Sequence, residues 1–219
     1  MQKTVVIIAA AGSGNRFGGE LPKQYQKLSD GSMILAKVIE KFISHPEIDF
    51  VITSIDQAHQ SLYQEVAQAL PDPKGKLLPP VYGGRDRHLS VLNGLKVFSE
   101  HKPGIVLIQD GCRPFLSSNL ISNIIAATRK HDAAIPLVPS FETLKEVKDG
   151  FVSNTMERSK IFRAQTPQGF KFDKLFELAQ KNKDALTDDS QLFERAGLKV
   201  AAVEGESSNI KITFKEDIL

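Results

Sequence analysis

A single cysteine, Cys112, in 219 residues leaves no partner for an internal disulfide, and a reducing compartment is the natural setting for such a chain. The five histidines are scattered, with no HExxH and no Cys/His spacing, which argues against a protein-built zinc site. No apolar run approaches the roughly 20 residues of a membrane span, and the N-terminus enters an apolar run without the charged-then-apolar layout of a secretory signal. Charge of one sign is also missing: 28 basic against 26 acidic residues give a net +2. No overall field draws the chain to nucleic acid or to a membrane, so any anion binding has to be local. These absences leave a cytoplasmic protein as the expectation. With 41% hydrophobic and 25% charged residues and no internal repeat, residues 1–219 are expected to form a single domain with a full core.

The apolar residues that are present fall in continuous runs. Val5 to Ala11 shows no alternation, as expected of a strand covered on both faces. Further strand-like runs recur at Phe50 to Ile55, Gly104 to Gln109, Ala133 to Val138 and Lys199 to Val203. Helical patterns lie between them at Met33 to Ile43, Gln57 to Leu70, Leu89 to Ser99 and Ser118 to Arg129. This alternation predicts an α/β fold, doubly wound, with a mostly parallel sheet. Leu70 to Pro80, rich in Pro, Lys and Gly, reads as a surface connection. The stretch from about 136 to 163 differs, with short β-like pieces, mixed charge and a turn at Asp149-Gly150. It predicts a hairpin arm leaving the sheet.

The first strand runs into glycines, and open α/β sheets bind ligands at that edge. Gly12 and Gly14 free the backbone for positive φ and let its N–H groups approach a phosphate or a base. Arg16 and Lys23 add positive charge on either side, as a triphosphate requires. Of two common glycine loops, the dinucleotide-binding one is weakened and the P-loop fails. The spacing Gly12, Gly14, Gly18 misses the dinucleotide fingerprint by one residue, and the P-loop's Gly-Lys followed by Ser or Thr is absent after Gly19.

Several blocks then stand in order along the chain: AAAGSGNRFGGELPKQY from Ala9, GGRDRHLSVLNGL from Gly83, IQDGCRPF from Ile108, ETLK from Glu142, AQTPQGF from Ala164, TDDS from Thr187 and NIKIT from Asn209. In these the chain resembles the 2-C-methyl-D-erythritol 4-phosphate cytidylyltransferases of the non-mevalonate isoprenoid pathway, over nearly its whole length. The resemblance implies a Rossmann-like nucleotidyltransferase sheet, with CTP and methylerythritol phosphate as substrates. It also implies a homodimer in which the arms are exchanged, and magnesium held mainly on the CTP phosphates, with Asp110 as a candidate ligand.

The same resemblance assigns roles. Arg16, Lys23 and Lys211 contact the triphosphate, and Lys211 is expected on a strand that carries it into the cleft. Ala10, Ala11, Gly12, Gly14, Gly83, Gly84 and Ser90 receive CTP, and Ser90 also reads as a helix N-cap. Asp110 and Arg113 stand at a strand end near the polyol, where many members read His-Asp-Ala-Ala-Arg-Pro and this chain has Gln109, Gly111 and Cys112. Arg158, Thr166 and Thr187 would hold the second substrate's phosphate, and Thr143 would reach a hydroxyl. Thr143 and Arg158, on the arm, would come from the partner subunit. Glu142 replaces the usual aspartate, and Arg85 to Arg87 vary the family's charged tripeptide without a clear assignment. Asp188 and Asp189 fit helix capping better than metal binding. Cys112, with no histidine partner nearby in sequence, reads as packing and not as a nucleophile.

Two alternatives stay open at this level: a ribitol-5-phosphate cytidylyltransferase, sharing fold and most motifs, and a catalytically silent nucleotide-binding module. Family members usually continue beyond the equivalent of KEDIL, so the chain reads as trimmed, or as the first part of a fusion.

Overall fold

The structure, a computed structural model, describes residues 2–12, 17–18 and 21–218. The glycine-loop residues Gly14 and Arg16 lie outside the described residues. Strand β1 (Thr4–Ala10) leads through α1 (Ile34–Ile43) to β2 (Phe50–Ile55), and α2 (Gln60–Gln68) connects to the short β3 (Val81–Tyr82). Helix α3 (Arg87–Phe98) leads to β4 (Ile105–Asp110), and α4 (Ser118–Lys130) to β5 (Ala133–Pro139). The strands β6 (Lys145–Lys148), β7 (Phe151–Thr155), β8 (Phe162–Ala164) and β9 (Gln168–Lys171) precede α5 (Phe172–Lys181), α6 (Ser190–Arg195) and β10 (Ala201–Glu204).

The main sheet has the order β10-β5-β9-β4-β1-β2-β3, with β8 paired to β5 off that path. β1, β2, β3 and β4 run parallel, as do β5 and β10. β9 is antiparallel to both β4 and β5 and joins the two parallel groups. It was not expected from the sequence: its four residues, QGFK, carry a glycine and no β-branched residue. Gly169 is needed because a Cβ there would sit 2.2 Å from Thr128 Oγ1 of α4.

The continuous apolar runs follow from helices on both faces. Val6 and Ile8 of β1 pack with Leu35 and Val38 of α1, Val66 of α2 and Ile121 of α4. The alternate residues Val5 and Ile7 pack with Val91 and Leu95 of α3, Leu175 of α5 and Phe193 of α6. Each such side chain contributes about 1.5–3 kcal/mol when fully buried.

The expected strands and helices are found with shifts at their ends. α3 begins two residues early, at Arg87, because the Asp86 side chain accepts the Leu89 N–H at 2.9 Å and caps it. Ser90, expected as the cap, sits inside the first turn. The last strand begins at Ala201, where pairing with Ala134 of β5 starts. The Leu70 to Pro80 connection is more than surface: Lys76 is buried and donates from Nζ to the His45 carbonyl at 2.7 Å, while Leu77 bridges to Val51.

The arm is present as a separate two-stranded sheet of β6 and β7, turning at Asp149 and Gly150, which take φ of 51° and 83°. Every residue of both strands is exposed, including Val147, Phe151 and Val152.

Candidate active site

The parallel strands β1, β2, β3 and β4 all end on one edge. Registers pairing Ala9 with Asp110, Ala10 with Ile55 and Ile55 with Tyr82 bring Ala11, Asp56, Gly83 and Asp110 there from distant parts of the chain. The strand order reverses between β1 and β4, and open α/β sheets form their ligand crevice at such a point. A cleft of about 600 Å³ occupies it, within the size range of small-molecule sites.

One wall consists of Ala10, Ala11 and Gly12. The buried Gln24 holds it in shape, donating from Nε2 to the carbonyls of Ala10 at 2.7 Å and Gly12 at 3.1 Å. Gln24 follows Lys23 in a short 3₁₀ turn, Lys23–Tyr25, so one turn sets both the wall and the lysine. Gly12 is not in the left-handed region expected of it; Gly18 is, with φ of 73°. Among the described residues nothing lies within 4 Å of where a Cβ of Gly12 would be.

The opposite wall is Gly84, Asp86, Arg87 and Ser90. Ser90 Oγ donates to the Asp86 carbonyl at 2.9 Å and accepts the Gly84 N–H at 3.1 Å, locking the turn into α3. Gly83 lies behind this wall, where a Cβ would come within 2.3 Å of Ala11 Cβ.

Asp110 forms the floor. Its Oδ1 accepts from Arg87 Nε at 3.4 Å, and its Oδ2 meets Lys211 Nζ at 2.9 Å and Arg113 Nε at 3.4 Å. Burial pushes this carboxyl up, but Arg87, Lys211 and Arg113 together outweigh it and hold it well below the ordinary carboxylate range. Its own N–H donates to Thr166 Oγ1 at 3.0 Å. Lys23 Nζ donates to the Ile212 carbonyl at 2.9 Å, which places two lysine head groups against one C-terminal segment at the cleft. That segment belongs to no strand; Ile212 is pinned instead by its N–H bond to the Cys112 carbonyl at 2.9 Å and by apolar contact with Phe17, Leu28 and Ile34.

Not every expected residue reaches the cleft. Arg113 is engaged below it, donating to the carbonyls of Asn209 at 2.9 Å and Ala164 at 3.3 Å, so its work in this chain is to bind the C-terminal segment to β4. Thr166 supports Asp110 from behind. Thr187 is exposed and accepts from Gln191 Nε2 at 3.1 Å, and neither it, Thr143 nor Arg158 lines the cleft within one chain. Arg158 donates to the Phe141 carbonyl at 3.1 Å. Cys112 is buried, and burial with Asp110 nearby pushes its thiol up, against a nucleophilic role.

The sequence left Arg87 unassigned and read Asp189 as a capping residue; Arg87 reaches from the wall to Asp110, and Asp189 lies buried behind it, in close contact with Arg87 Nη1 through Oδ2. Asp188 does the capping, accepting the Ser190 N–H at 2.8 Å.

Among the described residues no three His, Cys, Asp or Glu side chains gather to hold a metal. Asp110, already shared by three cations, could add one ligand to an ion carried by a phosphate ligand, and such an ion keeps most of its coordination on phosphate and water. No described helix is long and apolar enough to cross a membrane.

The family model for IspD, 2-C-methyl-D-erythritol 4-phosphate cytidylyltransferase, matches residues 4–219. The chain is 43% identical over 221 residues to a protein of Paramagnetospirillum magneticum named bifunctional enzyme IspD/IspF, covering 100% of this chain and 56% of that one. A protein of the same name from Rhodospirillum rubrum is 41% identical with the same coverage. The chain thus spans about half the length of these relatives. Among solved structures, 4-diphosphocytidyl-2C-methyl-D-erythritol synthase of Anaerococcus prevotii superposes with a TM-score of 0.84 at 34% identity, covering 99% of this chain and 95% of that one. The Francisella tularensis 2-C-methyl-D-erythritol 4-phosphate cytidylyltransferase gives 0.80 at 31%, covering 99% and 96%. On the family match and these likenesses, the chain belongs to the IspD family of 2-C-methyl-D-erythritol 4-phosphate cytidylyltransferases.

Proposed function

We propose that this chain transfers the cytidylyl group of CTP to 2-C-methyl-D-erythritol 4-phosphate, giving 4-diphosphocytidyl-2-C-methyl-D-erythritol and pyrophosphate. The observation that carries this reading is the gathering of two lysines in one cleft at the carboxyl edge of the sheet, Lys211 on the carboxylate of Asp110 and Lys23 on the carbonyl of Ile212, in a chain of this family.

A phosphate oxygen of the polyol phosphate attacks the α-phosphorus, and the bond from that phosphorus to the bridging oxygen breaks, its electron pair leaving with pyrophosphate. The attacking oxygen is already anionic, so no general base and no protein nucleophile are required. What the protein has to supply is orientation of two anions and neutralisation of the charge that grows on the phosphorus. In this reading Lys23 and Lys211 do so, and Asp110 aims Lys211 while offering an acceptor for a polyol hydroxyl. The close backbone of Ala10, Ala11 and Gly84, backed by Gly83, suits a flat pyrimidine, whose amine needs a fixed acceptor. Magnesium bound to the triphosphate would neutralise phosphate charge, with Asp110 as its candidate protein ligand.

The second substrate's phosphate pocket is completed, in this reading, by the arm of a second copy. The arm supports it by exposing Phe141 at 68% and Phe151 at 78%, surface that a free monomer rarely leaves to water. Arg158 and Thr143 would then act in trans in a homodimer. A cytoplasmic location goes with the single buried cysteine.

Phosphorus NMR of the protein incubated with CTP, methylerythritol phosphate and magnesium tests the reaction. Paired diphosphate resonances of a new diester together with pyrophosphate are expected; unchanged CTP and polyol phosphate would overturn the reading.

A further inference from the structure

In the wall of the cleft, Arg87 stands between two carboxylates. Nη1 donates to Asp189 Oδ2, and Nε donates to Asp110 Oδ1 at 3.4 Å. Asp189 comes from the start of α6, 102 residues further along the chain. It occupies the N-cap position but makes no side-chain cap bond. It is 0% exposed, and its Oδ1 has no hydrogen-bond partner among the described residues. A buried carboxylate with one oxygen unsatisfied is costly. Burial pushes its carboxyl up against the pull of Arg87, so its charge depends on the guanidinium staying where it is.

The arrangement has a consequence for Asp110. Because Asp189 engages the Nη1 end of the Arg87 fork, Asp110 meets this arginine only through Nε, and the other carboxylate oxygen is left to Lys211 at 2.9 Å, with Arg113 Nε on the same oxygen at a longer 3.4 Å. Without the Asp189 charge, Asp110 would be the nearest carboxylate left to a half-buried guanidinium, and a fork-to-fork pair is the geometry arginine favours. Asp110 would then turn away from Lys211.

We propose that Asp189 is a positioning residue for the cytidylyl transfer: through Arg87 it fixes the orientation of Asp110 and so holds Lys211 at the reacting phosphates. The inference rests on the cytidylyltransferase reading above. Asp189 touches no substrate and exchanges no proton.

The test uses Asp189→Asn and, separately, Arg87→Met combined with Asp189→Leu, which replaces the ion pair by apolar groups of similar size, an exchange that buried pairs often tolerate. Two readouts are taken beside wild type: kcat and KM for CTP with methylerythritol phosphate, and the rate at which acetic anhydride labels Lys211, followed by mass spectrometry without any substrate. In both variants kcat is expected to fall about tenfold or more while KM for CTP stays within about threefold, and Lys211 should be labelled severalfold faster in each. A folded variant with wild-type kcat and unchanged labelling would overturn the proposal and leave the pair as a packing element. Failure of both variants to fold would also overturn it, since the pair would then serve the fold and not the site. If wild type shows no transfer but labelling of Lys211 still rises in the variants, the functional reading fails and the positioning survives.

Discussion

Lys23 and Ile212 meet across 189 residues of chain, the Nζ of the one donating to the carbonyl of the other at 2.9 Å. The contact makes the glycine-loop side of the cleft and the C-terminal segment one structure, with Lys211 as the next residue. Both lysines are therefore expected to act on the same bound phosphates. Changing either Lys23 or Lys211 to Ala is expected to lower kcat about a hundredfold or more, with a smaller loss of CTP affinity, because a charge aimed at the reacting phosphorus matters most in the transition state. Steady-state kinetics beside calorimetry checks this; weakened binding with a normal kcat would assign the lysines to ground-state binding alone.

Gly83 has no room for a side chain. A Cβ would stand 2.3 Å from Ala11 Cβ and 2.8 Å from Ser90 Oγ, so Gly83→Ala has to push apart the two walls of the cleft. A stability loss of about 1–3 kcal/mol is expected from overpacking at such a position, together with weaker CTP binding. Urea unfolding and CTP titration measure both, and an unchanged midpoint with unchanged affinity would mean that the walls yield freely.

Asp110 gives a pH dependence with a defined sign. Its folded carboxyl lies below the unfolded value of about 3.9, so its contribution to stability is present above that value and is lost as pH falls through the folded one. The stability gap between wild type and Asp110→Asn should therefore be largest near neutrality and shrink as the pH is lowered through about 4. Denaturation series at several pH values follow the gap, and one that widens on acidification would show that the surrounding cations do not favour the ionised form.

The arm makes a fourth expectation. If Arg158 completes the neighbour's site, a site draws Lys23 from one chain and Arg158 from the other, and mixing inactive Lys23→Ala with inactive Arg158→Ala after subunit exchange regenerates one intact site per mixed dimer. Random pairing makes about half the dimers mixed, so roughly a quarter of wild-type activity should return. Continued inactivity with exchange verified by native mass spectrometry would leave the arm a contact only.

Much of this was legible in the sequence because it is local or periodic. The run Val5 to Ala11 needs helices on both faces and has them, and the Asp149-Gly150 turn closes the hairpin it predicts. Lys23, Asp110 and Lys211 could be named because each lies in a recognisable block, and the structure brings all three to one cleft. The errors are of a different kind. Whether Asp86 or Ser90 caps α3 depends on one residue's φ and ψ, which two polar candidates four residues apart do not fix. β9 is too short to show a period, and its place is set by what lies beside it, with Thr128 leaving room for glycine only. The link between Arg87 and Asp189 joins two charged runs, RDR and DD, in which any member could have been the partner. Only the packing of α6 against the sheet, through Phe193 on Phe170, selects the pair.

The central claim is the identity of the two substrates, and the most direct measurement is initial-rate pyrophosphate release with each of ATP, GTP, UTP and CTP against methylerythritol phosphate and ribitol phosphate. CTP with methylerythritol phosphate should exceed every other pair by a wide margin. Equal or faster release with ribitol phosphate would transfer the assignment to that polyol, and no release with any pair would contradict a catalytic role for the cleft.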